Sequence, residues 1–363
     1  MPDATLSSGR RSICVIAEDL SLPVDEGIKH FAVSLLQGWS KEHRILGLSV
    51  RSTAQSALPD AVSLKANKFF LSLRLFSRLR RFRPELICYV PSAAATIFSF
   101  LRARILKIYC PRARVVMVSL QPRRYGRLSK RLIPLLSPDA VFVQHEPVMR
   151  QLIDLGCLAS LLASGVDLNK FKPVSPDRKK ELRARYGLDP AAFTVLHVGH
   201  ITEGRNIELL TEVRRRESAQ VVLVGSSLVH PDRAAISARL KEQGIIILDT
   251  YFKNIEEIYQ LSDCYLFPVV SDRSCIGTPL SVLEAMACNL PVAAMRYGLL
   301  PQLFNPGQGL FFADTPEELV ECVARARSMN GSCHTRENVA ACSWEKIAAD
   351  ILEQSGLCEE KHS

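Results

Sequence analysis

The chain has 363 residues, enough for one large or two ordinary domains, each with a core of its own. Its eleven cysteines show no CxxC or Cys/His spacing, which argues against a disulfide frame or a zinc site and fits a reduced compartment. The net charge of +9 is lopsided: residues 1–165 hold 24 Lys and Arg against 11 Asp and Glu, and the remainder holds 22 against 26. Two domains with different partners are therefore expected, the first of them facing an anionic surface. No apolar run reaches membrane-span length and no signal-peptide core opens the chain, so the expectation is a cytoplasmic protein, peripheral to a membrane at most.

Taken in order, Ser12 to Ala17 reads as a buried strand, Ile28 to Trp39 as an amphipathic helix and His43 to Val50 as a second strand, the opening of a doubly wound α/β domain. No GxGxxG follows the first strand, which disfavours a nicotinamide cofactor. Residues 65–84 are expected to form one basic helix ended by Pro84. A strand from Leu86 to Val90, a helix from Ala93 to Tyr109 and a strand from Arg114 to Leu120 follow, then a basic loop from Pro122 to Arg131. These charges fit either solvated helix faces or a patch that docks on anionic lipid. Nucleic acid is disfavoured, because aromatic residues suited to base stacking are sparse. Ala140 to His145 closes the domain as a strand, and Pro147 to Gly156 follows as a helix.

Pro173 to Asp177 is expected as a linker, after which the rhythm restarts. Strands are expected at Thr194 to Gly199, Gln220 to Gly225, Ile245 to Asp249 and Cys264 to Val269, with helices between them. The unit Ser271 to Met295 then stands out. Thr278 is an expected N-cap, Pro279 the first helical residue, and Leu280 to Ala287 a short, all-round apolar helix. Asn289 and Pro291 end it. Within this apolar unit sits one carboxylate, Glu284, whose burial is costly unless strong donors meet it. The helix start offers free N–H groups suited to a phosphate.

Glu284-Ala285-Met286-Ala287, followed by Leu290-Pro291-Val292, resembles the donor-binding segment of glycosyltransferase family 4, retaining enzymes of the two-Rossmann-domain GT-B fold. Ser164-Gly165-Val166-Asp167, with Phe171 and Pro173, is similar to the family's interdomain segment, and Ser343-Trp344-Glu345 to its terminal helix. The resemblance covers nearly the whole chain. It implies two Rossmann-like domains facing a cleft, an acceptor-side domain over 1–165 and a donor-binding domain over 166–342, with a helix at 343–357 crossing back to the first.

The resemblance also implies roles. Gly199 to Asn206 is similar to the family's Gly-Arg-x4-Lys loop, with His200 at the Arg position and Arg205 at the Lys position; both would face the donor phosphates. Glu284 would hold the ribose hydroxyls. The backbone of Gly277, Thr278, Pro279 and Leu280 would lie near phosphate and sugar, and Thr278 and Ser281 offer hydroxyls. The family's first motif glutamate falls on Ile276, and Asp272 is the nearby carboxylate that would stand in for it. Gly27 is the remnant of a Gly-Gly pair that approaches the donor phosphates, and His145 is the candidate acceptor-side group. The nucleotide base would sit near Tyr251 to Asn254. The expected activity is transfer from a UDP- or GDP-sugar to a lipid-linked or polysaccharide acceptor at the cytoplasmic membrane face, with no metal and no further cofactor. A non-catalytic GT-B scaffold and a nucleotide-sugar epimerase are the alternatives.

Overall fold

The computed structural model describes residues 9–24, 26–51, 56–64, 66–92, 94–226, 232–329 and 333–357. They form two compact units, one of Met1–Ala163 with Trp344–Ser363 and one of Ser164–Ser343.

The first unit runs β1 (Ser12–Ala17), α1 (Gly27–Ser40), β2 (Arg44–Ser49), β3 (Ala61–Ser63), α2 (Leu73–Phe82), β4 (Leu86–Val90), α3 (Ile97–Tyr109), β5 (Arg114–Ser119), α4 (Arg127–Leu136), β6 (Ala140–Val143), α5 (Glu146–Asp154) and β7 (Ala159–Leu161). Its sheet has the order β3-β2-β1-β4-β5-β6-β7 and is parallel throughout. Helices cover both faces of such a sheet, which is why Ile13 to Ile16 and Leu86 to Val90 are unbroken apolar runs with no exposed residue. The last helix of the chain, Trp344–Gln354, packs on α1. Trp39 Nε1 donates to the Ala348 carbonyl at 3.1 Å, and Trp344 meets Phe31 edge-on at 5.4 Å. The terminal helix is thus part of the first unit's core, as its Ser-Trp-Glu start implied.

Two stretches depart from expectation. Residues 65–84 are not one helix, and Lys65 lies outside the described residues. Asn67 Oδ1 accepts from the amides of Phe69 and Leu71, Phe70 turns left-handed at φ 62°, and Ser72 caps a helix that only then begins. The side-chain turn at Asn67 competes with the helix here. The basic segment 122–131 is not all loop: α4 starts at Arg127, and the punctuating Gly126 and Pro134 hide it in the sequence.

The first helix of the second unit, α6 (Pro176–Arg185), starts within the expected linker and runs beyond it; Ser175 Oγ accepts from the Arg178 amide and Pro176 occupies the first turn. The unit continues with β8 (Thr194–Gly199), α7 (Leu209–Glu217), β9 (Gln220–Gly225), α8 (Arg233–Glu242), β10 (Ile246–Leu248), α9 (Glu256–Gln260), β11 (Cys264–Phe267), α10 (Leu280–Ala287), β12 (Val292–Met295), α11 (Leu300–Leu303), β13 (Leu310–Ala313), α12 (Pro316–Arg327) and α13 (Thr335–Asn338). The sheet order is β10-β9-β8-β11-β12-β13, again parallel. From β8 the chain crosses outward to β9, and from β11 it crosses the other way to β12. The carboxyl ends of β8 and β11 therefore flank a topological switch point, where the diverging connections leave a crevice.

Candidate functional site

The site lies in the second unit, at that switch point. Beyond Gly199, at the end of β8, the chain makes a 3-10 turn over Glu203–Arg205, closed by Asn206 in the left-handed region at φ 53°. Asn206 Nδ2 donates to the Pro268 carbonyl at 3.3 Å and ties this turn to the loop after β11. The turn folds Arg205 back beneath the strand end. Arg205 is only 6% exposed, and its Nη1 lies 2.6 Å from the point a β-carbon of residue 199 would occupy. Only glycine leaves room for it.

The neighbours of this cation are neutral. His197 is fully buried on β8; its Nδ1 is 2.9 Å from the Leu266 carbonyl, to which it donates, and burial holds its pKa down to about 4. Its Nε2 has no hydrogen-bond partner and lies 3.3 Å from the same β-carbon point as Arg205 Nη1. The Cys275 thiol is in hydrogen-bond reach of Arg205, and burial raises its pKa. Arg205 Nε is buried without a partner, and no carboxylate pairs with the guanidinium among the described residues. A buried cation lacking a counter-ion costs several kcal/mol, roughly. Such a seat suits an anion brought from outside.

Across β11, Glu284 of α10 is 7% exposed. Tyr259 of α9, fully buried, donates its hydroxyl to Glu284 Oε2 at 2.6 Å. Burial pushes the Glu284 pKa up to about 6, with the Tyr259 hydrogen bond and the Lys170 charge pulling the other way. Tyr265 of β11 feels the charges of both Glu284 and Arg205, is hydrogen-bonded by Ser281, and donates to the Val198 carbonyl at 3.4 Å. The cation and the carboxylate thus share one neighbour, and the two sequence clusters converge on one end of one sheet.

The segment between them is rigidly held. Ile276, Gly277, Thr278, Pro279 and Leu280 are all buried. Ser164 Oγ donates to the Thr278 carbonyl at 2.9 Å, Leu299 N to the Gly277 carbonyl at 2.9 Å, and Tyr297 OH to the Cys275 carbonyl at 2.9 Å. Gly298 is left-handed at φ 53°, and a β-carbon there would stand 1.9 Å from the Gly277 oxygen. Gly298→Ala is expected to lower stability by more than about 2 kcal/mol in denaturant unfolding. Gly187→Ala, also at positive φ but with open space around it, should cost only the left-handed term of about 1 kcal/mol. Equal losses would show that the segment yields easily.

Helix α10 starts at Leu280, one residue later than expected: Pro279 is its N-cap, in extended conformation, and Thr278 makes no side-chain cap. Asp272 is on an exposed turn, while Ile276 faces the interior. His200 is half-buried and its Nδ1 hydrogen-bonds with the Ser226 hydroxyl beyond β9. Gly27, the first residue of α1, and His145, the N-cap of α5 with a buried and unpartnered Nδ1, belong to the first unit. Sequence reasoning missed His197, Tyr259 and Tyr265. Each lies in or beside an apolar run and reads as core; the signal for His197 is its position two residues before Gly199, on the same strand face.

Residues 192–328 match the family model described as Glycosyl transferases group 1. The chain is 26% identical over 293 residues to sulfoquinovosyl transferase SQD2 of Arabidopsis thaliana, covering 76% of this chain and 56% of that protein. It is 27% identical over 266 residues to the lipopolysaccharide core biosynthesis mannosyltransferase LpsB of Rhizobium meliloti, covering 66% of this chain and 72% of the relative. Among solved structures it is similar to sucrose-phosphate synthase of Thermosynechococcus elongatus, with TM-score 0.74 at 17% identity over 95% of this chain and 98% of that one. It is also similar to Anabaena Alr3699/HepE in complex with UDP-glucose, with TM-score 0.71 at 16% identity over 96% and 100%. The buried cation and carboxylate described above both fall within 192–328, the stretch that matches the group 1 glycosyl transferase model, and the chain as a whole has the fold of these glycosyltransferase structures, GT-B.

Proposed function

We propose that the chain is a retaining, metal-independent glycosyltransferase of family 4 type, moving a sugar from a UDP- or GDP-sugar to a lipid-linked or polysaccharide acceptor at the cytoplasmic face of a membrane. The observation that carries this reading is Arg205: a buried guanidinium with no carboxylate on it among the described residues, seated against Gly199 at the switch point, with Glu284 beyond Tyr265. When the bond from sugar to phosphate breaks, negative charge builds on the departing diphosphate. A fixed cation in a water-poor seat stabilises that charge more than it stabilises the intact donor. In this reading Arg205 grips the diphosphate, His200 hydrogen-bonds it from the β9 side, and Glu284 accepts from ribose hydroxyls. Asp272 or the Ser281 hydroxyl meets the sugar. On the first unit, Gly27 opens α1 toward the phosphates and His145 serves the acceptor. HepE, solved with UDP and with UDP-glucose, supports a UDP donor, and a GDP-mannose-dependent mannosyltransferase of Corynebacterium glutamicum among the relatives supports GDP as the alternative.

Calorimetric titration with UDP- and GDP-sugars, followed by transfer assays, tests the reading. Binding of one nucleotide class with turnover is expected; no binding and no turnover across the panel would end it. The seat itself is tested by Gly199→Ala. A methyl 2.6 Å from Arg205 Nη1 must displace the guanidinium, so nucleotide affinity should fall at least about tenfold, roughly 1.4 kcal/mol, without loss of secondary structure. Unchanged affinity would show that Arg205 does not touch the ligand.

A further inference from the structure

We infer that helix α4 is a membrane-inserting element, laying its outer face into the headgroup region of an anionic bilayer. The inference extends the membrane-face part of the reading above and does not depend on the donor chemistry.

An ordinary surface helix turns its apolar side to the core. Helix α4 does the reverse. Of its ten residues only Ile133 is buried, while Leu128 and Leu135 are each 71% exposed and Leu132 is exposed as well. At 100° per residue these three leucines fall within about 60° of one another, forming one outward stripe. Arg131 and Arg127, both exposed, border it on one side, Lys130 is exposed farther round the helix, and Arg123 and Arg124 are exposed just before it. The neighbouring α3, which packs on α4, adds exposed Arg104 and Ile108. No acidic residue occurs between Glu85 and Asp139, so nothing in the sequence of this region offsets the cations.

A stripe of leucines bordered by cations, with no acidic residue on the helix, matches one kind of partner in both respects. Acyl chains take the apolar stripe, and anionic headgroups meet the rim. Nucleic acid would answer the charge but leave the leucines in water. A second copy of the chain would cover the leucines but set cation against cation.

The full chain is to be sedimented with phosphatidylcholine vesicles, with and without phosphatidylglycerol. Binding only to the anionic vesicles is expected. Arg127→Gln, Lys130→Gln and Arg131→Gln together should weaken it about a hundredfold, at about fivefold per residue. Leu128→Ser with Leu135→Ser should weaken it at least about tenfold, and the loss should persist at high salt, where surface charge is screened. The leucines are exposed, so the melting temperature should not move. Leu135→Trp should shift its emission to the blue on anionic vesicles, against the buried Trp39 and Trp344. The proposal is overturned if the serine pair binds as the native chain does, or if charge alone governs binding. Equal binding to neutral vesicles removes the anionic partner. A dimer that forms without lipid and is dissolved by the serine pair assigns the face to a second copy instead. Nucleotide binding should be the same in every variant, which keeps this test apart from that of the donor site.

Discussion

Replacing Arg205 with methionine should raise the stability of the free protein while abolishing transfer. Most core substitutions do the opposite on the first count. The guanidinium sits among His197, Tyr265, Cys275 and Tyr297, with Nε unpartnered and no carboxylate paired to it among the described residues. An unmet buried donor costs about 1–3 kcal/mol, and apolar residues of similar volume often replace buried charges with a gain. Methionine keeps most of the length and adapts to the gap. Unfolding free energy in denaturant should therefore rise by about 1–3 kcal/mol. The rate of sugar transfer should fall at least about a hundredfold, the scale on which a single preorganised electrostatic contact acts in a transition state. Arg205→Lys, which keeps the charge but loses the planar fork, should lie between the two. Were the methionine variant instead less stable and equally active, Arg205 would be a packing residue and the anion seat would have no basis.

The same cation explains which parts of the site could be read from sequence. Arg205 and Glu284 stand out because a charge in a glycine-bounded loop, or within an apolar helix, breaks the local pattern. His197 and Tyr259 do not break it, since half-polar aromatic residues are ordinary in buried elements. What gives them meaning is the crossing of the chain at β8 and β11, which sets residues far apart in sequence side by side. In the fold, β1, β8 and β9 have the ends their apolar runs suggest. The edge strands β3 and β7 lie outside the expected elements; at three residues each they are too short for any periodicity. Helix α6 lies outside the expected elements except for its first two residues, which fall in the expected linker; its polar sequence shows no apolar face, although Ser175 and Pro176 mark its start. The first half of helix α4 reads as loop for a different reason: Gly126 before it and Pro134 within it punctuate the sequence, although its apolar residues recur on one face.

Glu284 should make both stability and donor affinity depend on pH near 6, in opposite directions. Burial holds the folded carboxyl at about 6 against 4.5 for the unpaired group. The folded state therefore binds the proton more tightly than the unfolded chain does. The resulting stabilisation is complete below about pH 4.5 and is lost as pH rises through 6, an effect of about 2 kcal/mol. Ligand hydroxyls reverse the preference, because they donate to the ionised carboxylate and favour it. Nucleotide affinity should be constant above pH 6 and fall toward tenfold per unit below it. Glu284→Gln isolates both effects. The amide oxygen still accepts from Tyr259 OH, so packing is kept, but no proton is exchanged. The variant should lose the stability slope between pH 4.5 and 6 and be the more stable protein at pH 7, by up to about 2 kcal/mol. Its nucleotide affinity should be weaker at pH 7 and flat with pH. A glutamine variant that binds as tightly as the native chain, with the same pH slope, would mean that Glu284 serves Tyr259 alone and that the nucleotide is held elsewhere.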